Sequence, residues 1–271
     1  MATFVRTSGC AADEITMATA HPARMYDYLL GGKDNYPADR IVAEQVLRAA
    51  PEARLMAREN RRFLHRAVRF LVAEAGIRQI IDIGTGIPAA DNVHQTAQKV
   101  TPDVRVVYVD NDPLVHAHAN ALLTGTGRTA AVLADLREPH KILDHPRVRH
   151  LIDFTEPVAL LLVAVVHFIR DEEDPAGIVR TLLDALPVGS YLALSHATGD
   201  LRPITAAQVT EAYDAATSPL TVRSHSAIAV FFNGCDLVDP GLVQVPTWQP
   251  DGKRPKGYRN IWIYGGVGKR I

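Results

Sequence analysis

An apolar segment that runs directly into a glycine turn constrains this chain more than any other feature of its sequence. Residues 80–83 lead into Gly84, Thr85 and Gly86, and a proline follows two residues later. A continuous apolar run predicts an interior strand of a parallel sheet, and glycines at its end allow the backbone to turn sharply and to lie close to a ligand. The segment therefore predicts a strand, a turn and a helix in succession, the repeating unit of doubly wound α/β folds.

The alternation of strands and helices continues along the chain. Helices are predicted to begin near Ala89, Pro113, Pro139 and Pro175. Because the last connection is short and rich in proline, we expect the two strands that flank it to pair antiparallel. The sequence thus predicts an α/β fold with a doubly wound, mostly parallel, seven-stranded sheet, its last strand antiparallel and helices on both faces. The predicted strands are 79–83, 105–109, 129–134, 158–165, 190–195, 237–245 and 259–265.

Three parts are predicted along the chain. Residues 1–20 are small, polar and aperiodic, and we expect them to be disordered. Residues 21–75 are predicted to form an N-terminal helical cap or lid, in which a first helix breaks at Gly31-Gly32. Residues 76–271 hold the sheet, with an inserted helix near 203–217 that could cover its open edge. In the cap, one apolar helix stripe is predicted from Ile41, Val42, Val46 and Leu47.

Charge and cysteine content exclude several classes of function. Lys and Arg (29) nearly balance Asp and Glu (30). The chain therefore lacks the surplus of basic residues that is typical of nucleic-acid-binding proteins. Five arginines between residues 58 and 69 are interpreted as the solvated face of a helix. Cys10 and Cys235 are too isolated to indicate a disulfide framework or a metal site. The longest apolar run, 157–169, is too short to span a bilayer, so we expect a cytoplasmic protein without membrane contacts.

Acidic residues end three successive predicted strands. Asp82, Asp110 and Asp135 are 28 and 25 residues apart, about one strand–helix unit each. Ligands of open α/β sheets bind beyond the carboxyl ends of the strands. There, Asp110 can accept both hydroxyls of a ribose, Asp135 an adenine amino group, and Asp82 can favour the ammonium and sulfonium of S-adenosylmethionine. The glycines also satisfy the loose pattern of dinucleotide sites, so a nicotinamide cofactor remains an alternative.

At this point the chain resembles the class I methyltransferases, and more narrowly an actinobacterial S-adenosylmethionine methyltransferase family formerly classed as a domain of unknown function. The resemblance covers nearly all of the chain from about Pro22 onward. It rests on residues 24–36, 82–88, 92–94, 108–113, 134–137 and 157–168, and on the tail residues 239–243 and 265–267. It implies methyl transfer without identifying an acceptor. The predicted cofactor-binding residues are Lys33, Asn35, Asp82, Gly84, Thr85, Gly86, Asp110, Asn111, Asp135 and Leu136.

Candidate catalytic residues are fewer. An oxygen acceptor needs a general base, and His167, just past the fourth predicted strand, is the first candidate; Tyr26 is the second. His196 ends the fifth strand similarly, and a structural role is the alternative for each histidine. His94, in the first turn of a helix, is expected to position the glycine loop or to cap that helix.

The segment from Tyr26 to Tyr36 is rich in polar and aromatic residues around a glycine pair. It is interpreted as a lid with Tyr26, Lys33 and Asn35 pointing inward, the alternative being a structural helix and turn. The function predicted is an S-adenosylmethionine-dependent methyltransferase of a small-molecule acceptor. The alternatives are a non-catalytic regulator that binds S-adenosylmethionine and an NAD-dependent oxidoreductase.

Overall fold

The computed structural model describes residues 17–89, 91–123, 125 and 127–271. In these ranges eight strands form one sheet, in the order β3-β2-β1-β4-β5-β8-β6, and the two-residue β7 also pairs with β8. Strands β1 to β5 are parallel, whereas β8 is antiparallel to its neighbours. The predicted α/β fold is therefore confirmed. The strands are β1 Gln79–Ile83, β2 Arg105–Asp110, β3 Thr129–Leu133, β4 Ala159–Val163, β5 Tyr191–Ala197, β6 Cys235–Leu237, β7 Val243–Gln244 and β8 Ile263–Arg270.

The C-terminal strands differ most from the prediction. The segment predicted as one strand, 237–245, is two short strands, because the chain turns at Pro240 and at Gly241, whose φ is 86°. The last strand begins four residues later than predicted and runs through three glycines to Arg270. Glycine is needed there: a Cβ on Gly265 would lie 2.8 Å from Val245 Cγ1.

Helices cover both faces of the sheet. Side chains alternate along β1, so that Ile80 belongs to one apolar core and Ile81 to the other. The first core lies under α1 to α5 and α9, and the second under α6, α7, α8 and α10. The helices are α1 Pro22–Leu30, α2 Pro37–Ala49, α3 Ala53–Ala73, α4 Val93–Val100, α5 Pro113–Leu123, α6 Pro139–Leu143, α7 Pro146–Leu151, α8 Pro175–Asp184, α9 Pro203–Tyr213 and α10 His225–Ala229.

The N-terminal cap consists of α1, α2 and α3. Helix α1 ends at Gly31, whose φ of 86° is the left-handed conformation expected at a helix end, and Met25 is completely buried. Two predictions are wrong here. Ile41 is 62% exposed and does not belong to the apolar stripe of α2. Arg66 is buried in α3, where its guanidinium donates to the backbone oxygens of Val245 and Trp248, so the arginine strip is not wholly a solvated face.

The inserted helix α9 packs against α2 of the cap. It was predicted to cover an edge of the sheet, but the edges are β3 and β6. Of the segment predicted to be disordered, residues 1–16 lie outside the described residues, whereas Ala20 is buried and bridges to Ala216 just past α9. No helix within the described ranges is long and apolar enough to cross a membrane.

Candidate functional site

A cavity lies beyond the carboxyl ends of the parallel strands and under the cap. One side, which we call the strand-end half, carries polar groups that follow β1, β2 and β3. The other side, the cap half, is apolar. It comes mainly from α1, α3 and α9, from the loop between α9 and α10, and from the residue before β8. The strand-end half comprises Asp82, Gly84, Thr85, Gly86, Asp110, Asn111, Asp135 and Leu136; the cap half comprises Leu29, Met56, Val209, Tyr213, Leu220 and Trp262.

The glycine turn after β1 is held against β2. The amide of Gly84 donates to the Val109 carbonyl at 2.8 Å, and the Thr85 hydroxyl donates to the Asp82 carbonyl at 3.0 Å. Gly84 has a φ of 76°, and a Cβ there would lie 2.5 Å from a methyl carbon of Val165. The turn therefore requires glycine for its conformation and for the close approach of the segment after β4.

Asp110 ties the glycine turn to the end of β2. One carboxylate oxygen accepts from the Gly86 amide at 2.9 Å, and the other accepts from the Asp112 amide at 3.0 Å. Each oxygen retains a free lone pair, so the carboxylate can still accept hydroxyl groups of a ligand. Burial raises its pKa. Asp112 accepts from the Leu114 amide at 2.8 Å and so caps the N-terminus of α5.

Asp135 lies in the strand-end half, but its carboxylate is occupied. Arg137 contacts both oxygens, through its guanidinium and its backbone amide, and Asn111 donates to one of them at 2.9 Å. These contacts fill the acceptor capacity that an adenine amino group would use. Leu136, next to it, is buried and also lines the cavity.

Asp82 is the most perturbed acid of the site. Burial raises its pKa to about 7, an effect that the positive charge of Arg61 partly offsets and the negative charge of Asp110 reinforces. Arg61 comes from α3 of the cap and lines the same cavity. A buried carboxyl that ionises near neutral pH responds strongly to a bound cation, which agrees with the predicted role toward an ammonium or sulfonium group.

His167 lines the cavity, but its geometry does not suit a general base. Burial lowers its pKa well below the usual value, and the nearby His196 and Arg223 lower it further. Its Nδ1 accepts from the Ala197 amide at 3.3 Å, so the neutral ring carries its proton on Nε2. His167 is therefore a hydrogen-bond donor at neutral pH.

The two other histidines have structural contacts. His196 is held between the Ala197 carbonyl and the guanidinium of Arg223, at 2.7 and 2.8 Å, and burial lowers its pKa to about 3. His94 contacts the Tyr108 hydroxyl through both its amide and Nδ1 at 2.8 Å, which anchors the start of α4 on β2.

The Tyr26 hydroxyl is engaged in a hydrogen-bonded chain across the cavity wall. It donates to the Ala57 carbonyl at 2.9 Å and accepts from the side-chain nitrogen of Asn60 at 3.1 Å. The other end of the Asn60 side chain accepts from the Ser195 hydroxyl at 2.6 Å, and Ser195 accepts from the Ala164 amide at 3.0 Å. The structure thus gives the hydroxyl of Tyr26 a positioning role between the cap and the strand ends, while its side chain lines the cavity.

Lys33 and Asn35 are not among the residues that line the cavity. Lys33 is exposed. The side-chain amide of Asn35 donates through Nδ2 to the Asp27 carboxylate at 2.7 Å, and its Oδ1 accepts from the Arg40 guanidinium at 2.7 Å. These two hydrogen bonds fix the turn between α1 and α2. The structure therefore does not support cofactor contacts for these two residues, and it shows the 24–36 segment in the packed arrangement that was the alternative to a lid.

Sequence reasoning missed most of the cap half and two further polar residues that line the cavity. Asn60 was not singled out, Arg61 was assigned to a solvated helix face, and Tyr213, Leu220 and Trp262 have no local motif. The single available signal was the polar Asn60 in the interior of an amphipathic helix, where an amide without a partner would be costly. Among the described residues, no cluster of His, Cys, Asp and Glu could hold a metal ion.

An open α/β sheet with a glycine turn after β1 and an acid at the end of β2 defines a nucleotide-binding class of protein. The family model described as "S-adenosyl methyltransferase" matches residues 8–271, so the chain belongs to this family. Its cofactor is S-adenosylmethionine, as the sequence predicted. Comparison with curated proteins gave no match.

Two solved structures resemble the chain over nearly its whole length. A DUF574 family protein from Streptomyces avermitilis is 47% identical, with a TM-score of 0.92 over 95% of this chain and 100% of that one. A Thermobifida fusca protein, provisionally named a methyltransferase, is 37% identical, with a TM-score of 0.88 over 97% and 99% of the two chains. Both genera are actinobacterial, as the resemblance in the sequence implied.

The residues of the strand-end half fit the cofactor. Nothing lies within 4 Å of the position that a Cβ on Gly86 would occupy, so the turn leaves open space at the end of β1. Two buried carboxyls, Asp82 and Asp110, lie beside this space and suit a ligand that carries positive charge and hydroxyl groups.

Proposed function

We propose that the protein methylates a small molecule that binds in the cap half of the cavity. The observation that carries the proposal is the continuity of the cavity: the polar strand-end half and the apolar cap half share one space, with His167 among its lining residues. A cofactor and an acceptor in the two halves would be adjacent, as direct transfer requires.

The residues of this chain contribute position more than proton transfer. Asp82 and Asp110 would hold the cofactor, which would supply an electrophilic methyl group on its sulfonium and would leave as S-adenosylhomocysteine. His167 would donate a hydrogen bond from Nε2 and orient the acceptor. Because burial keeps its pKa well below the usual value, it stays uncharged at neutral pH.

A direct test is formation of S-adenosylhomocysteine. Purified protein, S-adenosylmethionine and fractions of small-molecule extract should yield S-adenosylhomocysteine in stoichiometric amount with one methylated product, detected by mass spectrometry. At a sub-saturating concentration of S-adenosylmethionine, Asp110→Ala should lower the yield of both products together. Tight cofactor binding without turnover in any fraction would contradict the proposal.

That outcome would support the second candidate, a non-catalytic regulator that binds S-adenosylmethionine. One observation favours it: the two residues predicted to be catalytic, His167 and Tyr26, use Nδ1 and the hydroxyl group in structural hydrogen bonds. An acceptor that is a good nucleophile in its uncharged form, such as an aromatic amine, needs no general base and reconciles the same observation with catalysis.

A further inference from the structure

The cap half has an unusual combination of apolar walls and one unsatisfied donor. Leu29, Met56, Val209 and Leu220 are all buried, belong to the same apolar core and line the cavity. The indole of Trp262, only 2% exposed, lines the cavity beside them, and its Nε1 has no hydrogen-bond partner among the described residues. A buried N–H without a partner is costly, so such groups in native proteins call for a specific explanation.

The acidic residues that line the cavity lie on its other side. Asp82 and Asp110 lie at the carboxyl ends of strands β1 and β2, and Asp135 lies two residues past β3. Arg61 of α3 also lines the cavity and is close enough to Asp82 to lower its pKa. Tyr213 is the only ionisable residue among the six that define the cap half, and burial raises its pKa, so it stays neutral. These six residues therefore carry no formal charge. A charged ligand group there would lose its hydration without compensation.

From these observations we infer that the cap half binds an uncharged, flat, largely apolar molecule whose carbonyl or hydroxyl oxygen accepts a hydrogen bond from Trp262 Nε1. The inference rests on the proposed function, for which it names the class of acceptor. The aromatic and aliphatic walls supply affinity, whereas the indole N–H supplies orientation. A charged group placed among these six residues would lose its hydration, which disfavours a charged metabolite.

Three naphthalene probes of similar size test this class of ligand. 2-Acetonaphthone carries an uncharged oxygen, 2-ethylnaphthalene lacks it, and 2-naphthoate is an anion. Each is titrated into the full-length protein by calorimetry, with and without saturating S-adenosylhomocysteine. We expect 2-acetonaphthone to bind about five- to tenfold more tightly than 2-ethylnaphthalene, the value of one net hydrogen bond, and 2-naphthoate to bind most weakly.

Two tryptophan variants provide the matched comparison. Trp262→Phe keeps an aromatic ring but removes the N–H, so it should abolish the preference for 2-acetonaphthone over 2-ethylnaphthalene. Trp248→Phe is the control, because the Trp248 Nε1 is also buried without a partner but lies in the core against Phe63 and Phe70, away from the cavity. It should retain the preference, and near-ultraviolet circular dichroism should show both variants folded.

The possible failures have different meanings. Equal affinity of the wild type for 2-acetonaphthone and 2-ethylnaphthalene, or an unchanged preference in folded Trp262→Phe, would overturn the role of Trp262. Tightest binding of 2-naphthoate, or no binding of any probe while S-adenosylhomocysteine binds, would overturn the apolar class and leave the cofactor site intact. Binding of a probe without binding of S-adenosylhomocysteine would contradict the proposed function. It would leave the ligand class inferred for the cap half intact.

Discussion

The two halves of the cavity are built in different ways. In the strand-end half, each polar residue lies at or just past the carboxyl end of a strand, and backbone amides hold Asp110 at 2.9 and 3.0 Å. In the cap half, the lining residues come from α1, α3, α9 and two loops, and most of their contacts are apolar. The first half is thus specified by short local motifs, whereas the second exists only through tertiary packing. This contrast predicts that the halves fail independently when they are mutated.

The largest effect is expected in the glycine turn. Gly84→Ala would place a Cβ 2.5 Å from Val165 in a left-handed backbone conformation, which combines overpacking with strain and should cost about 3 kcal/mol or more of unfolding free energy. Gly86→Ala, with similar φ but open space, should cost only about 1 kcal/mol. Urea denaturation measures both. Equal destabilisation would show that the Val165 contact is unimportant.

Asp110→Ala should weaken binding of S-adenosylhomocysteine by about 1.5–3 kcal/mol, because hydrogen bonds to a charged acceptor are lost. Calorimetry measures the change. Affinity for 2-acetonaphthone should stay within about twofold of the wild-type value, since the cap half is untouched. Asp103→Ala, an exposed carboxylate before the start of β2, is the control. A parallel loss of affinity for both ligands would break the proposed independence of the halves.

Tyr26→Phe tests the connection between the halves. Loss of the hydroxyl removes two hydrogen bonds and leaves the Asn60 amide without its partner, so the unfolding free energy should fall by about 1–2 kcal/mol. Tyr28→Phe on the same helix removes a partly exposed contact with Glu44 and should cost less than about 0.5 kcal/mol. Thermal and urea denaturation give the comparison. Similar costs for both variants would contradict the role assigned to the chain through Asn60.

The smallest effect concerns pH. The Asp82 carboxyl, whose pKa is about 7, is mostly neutral at pH 6 and mostly ionised at pH 8. Because the ionised form attracts the ligand's ammonium group, affinity for S-adenosylhomocysteine should rise about fivefold over this range. Asp82→Asn cannot ionise, so its affinity should change by less than about twofold. A flat wild-type profile, or the same slope in both proteins, would remove Asp82 from cofactor binding.

The sequence predicts the strand-end half well because its signals are local. An apolar strand, a glycine turn and a following acid occupy adjacent positions, and the register of parallel strands brings their ends together. Asp82, Gly84, Gly86 and Asp110 therefore lie where they were expected. Asp135 was also placed correctly, but its engagement by Arg137 could not be predicted, because the conformation of a long side chain depends on its neighbours.

The cap half could not be predicted in the same way. Lys33 and Asn35 looked like ligand contacts because polar residues around glycines resemble a binding loop, yet Asn35 fixes its own turn through Asp27. Conversely, Trp262 and Leu220 sit in segments without periodicity, and only the packing of distant elements makes them neighbours. The last strand was predicted to end at Gly265, whereas it continues to Arg270, and Gly265 is required by its close packing on Phe63 and Val245.

The hydrogen bond between Asn60 and Ser195 has a consequence for biosynthesis, because it joins positions 135 residues apart. A nascent chain displays all three acids and the glycine turn long before β5 leaves the ribosome. Until β5 inserts beside β4, the wall that joins cap to sheet is unfinished, and closing so long a loop is entropically slow. The wall of the cavity that joins the cap to the sheet therefore forms only after β5 has been translated, and a truncated product that ends before β5 carries the glycine turn and the three acids without this wall.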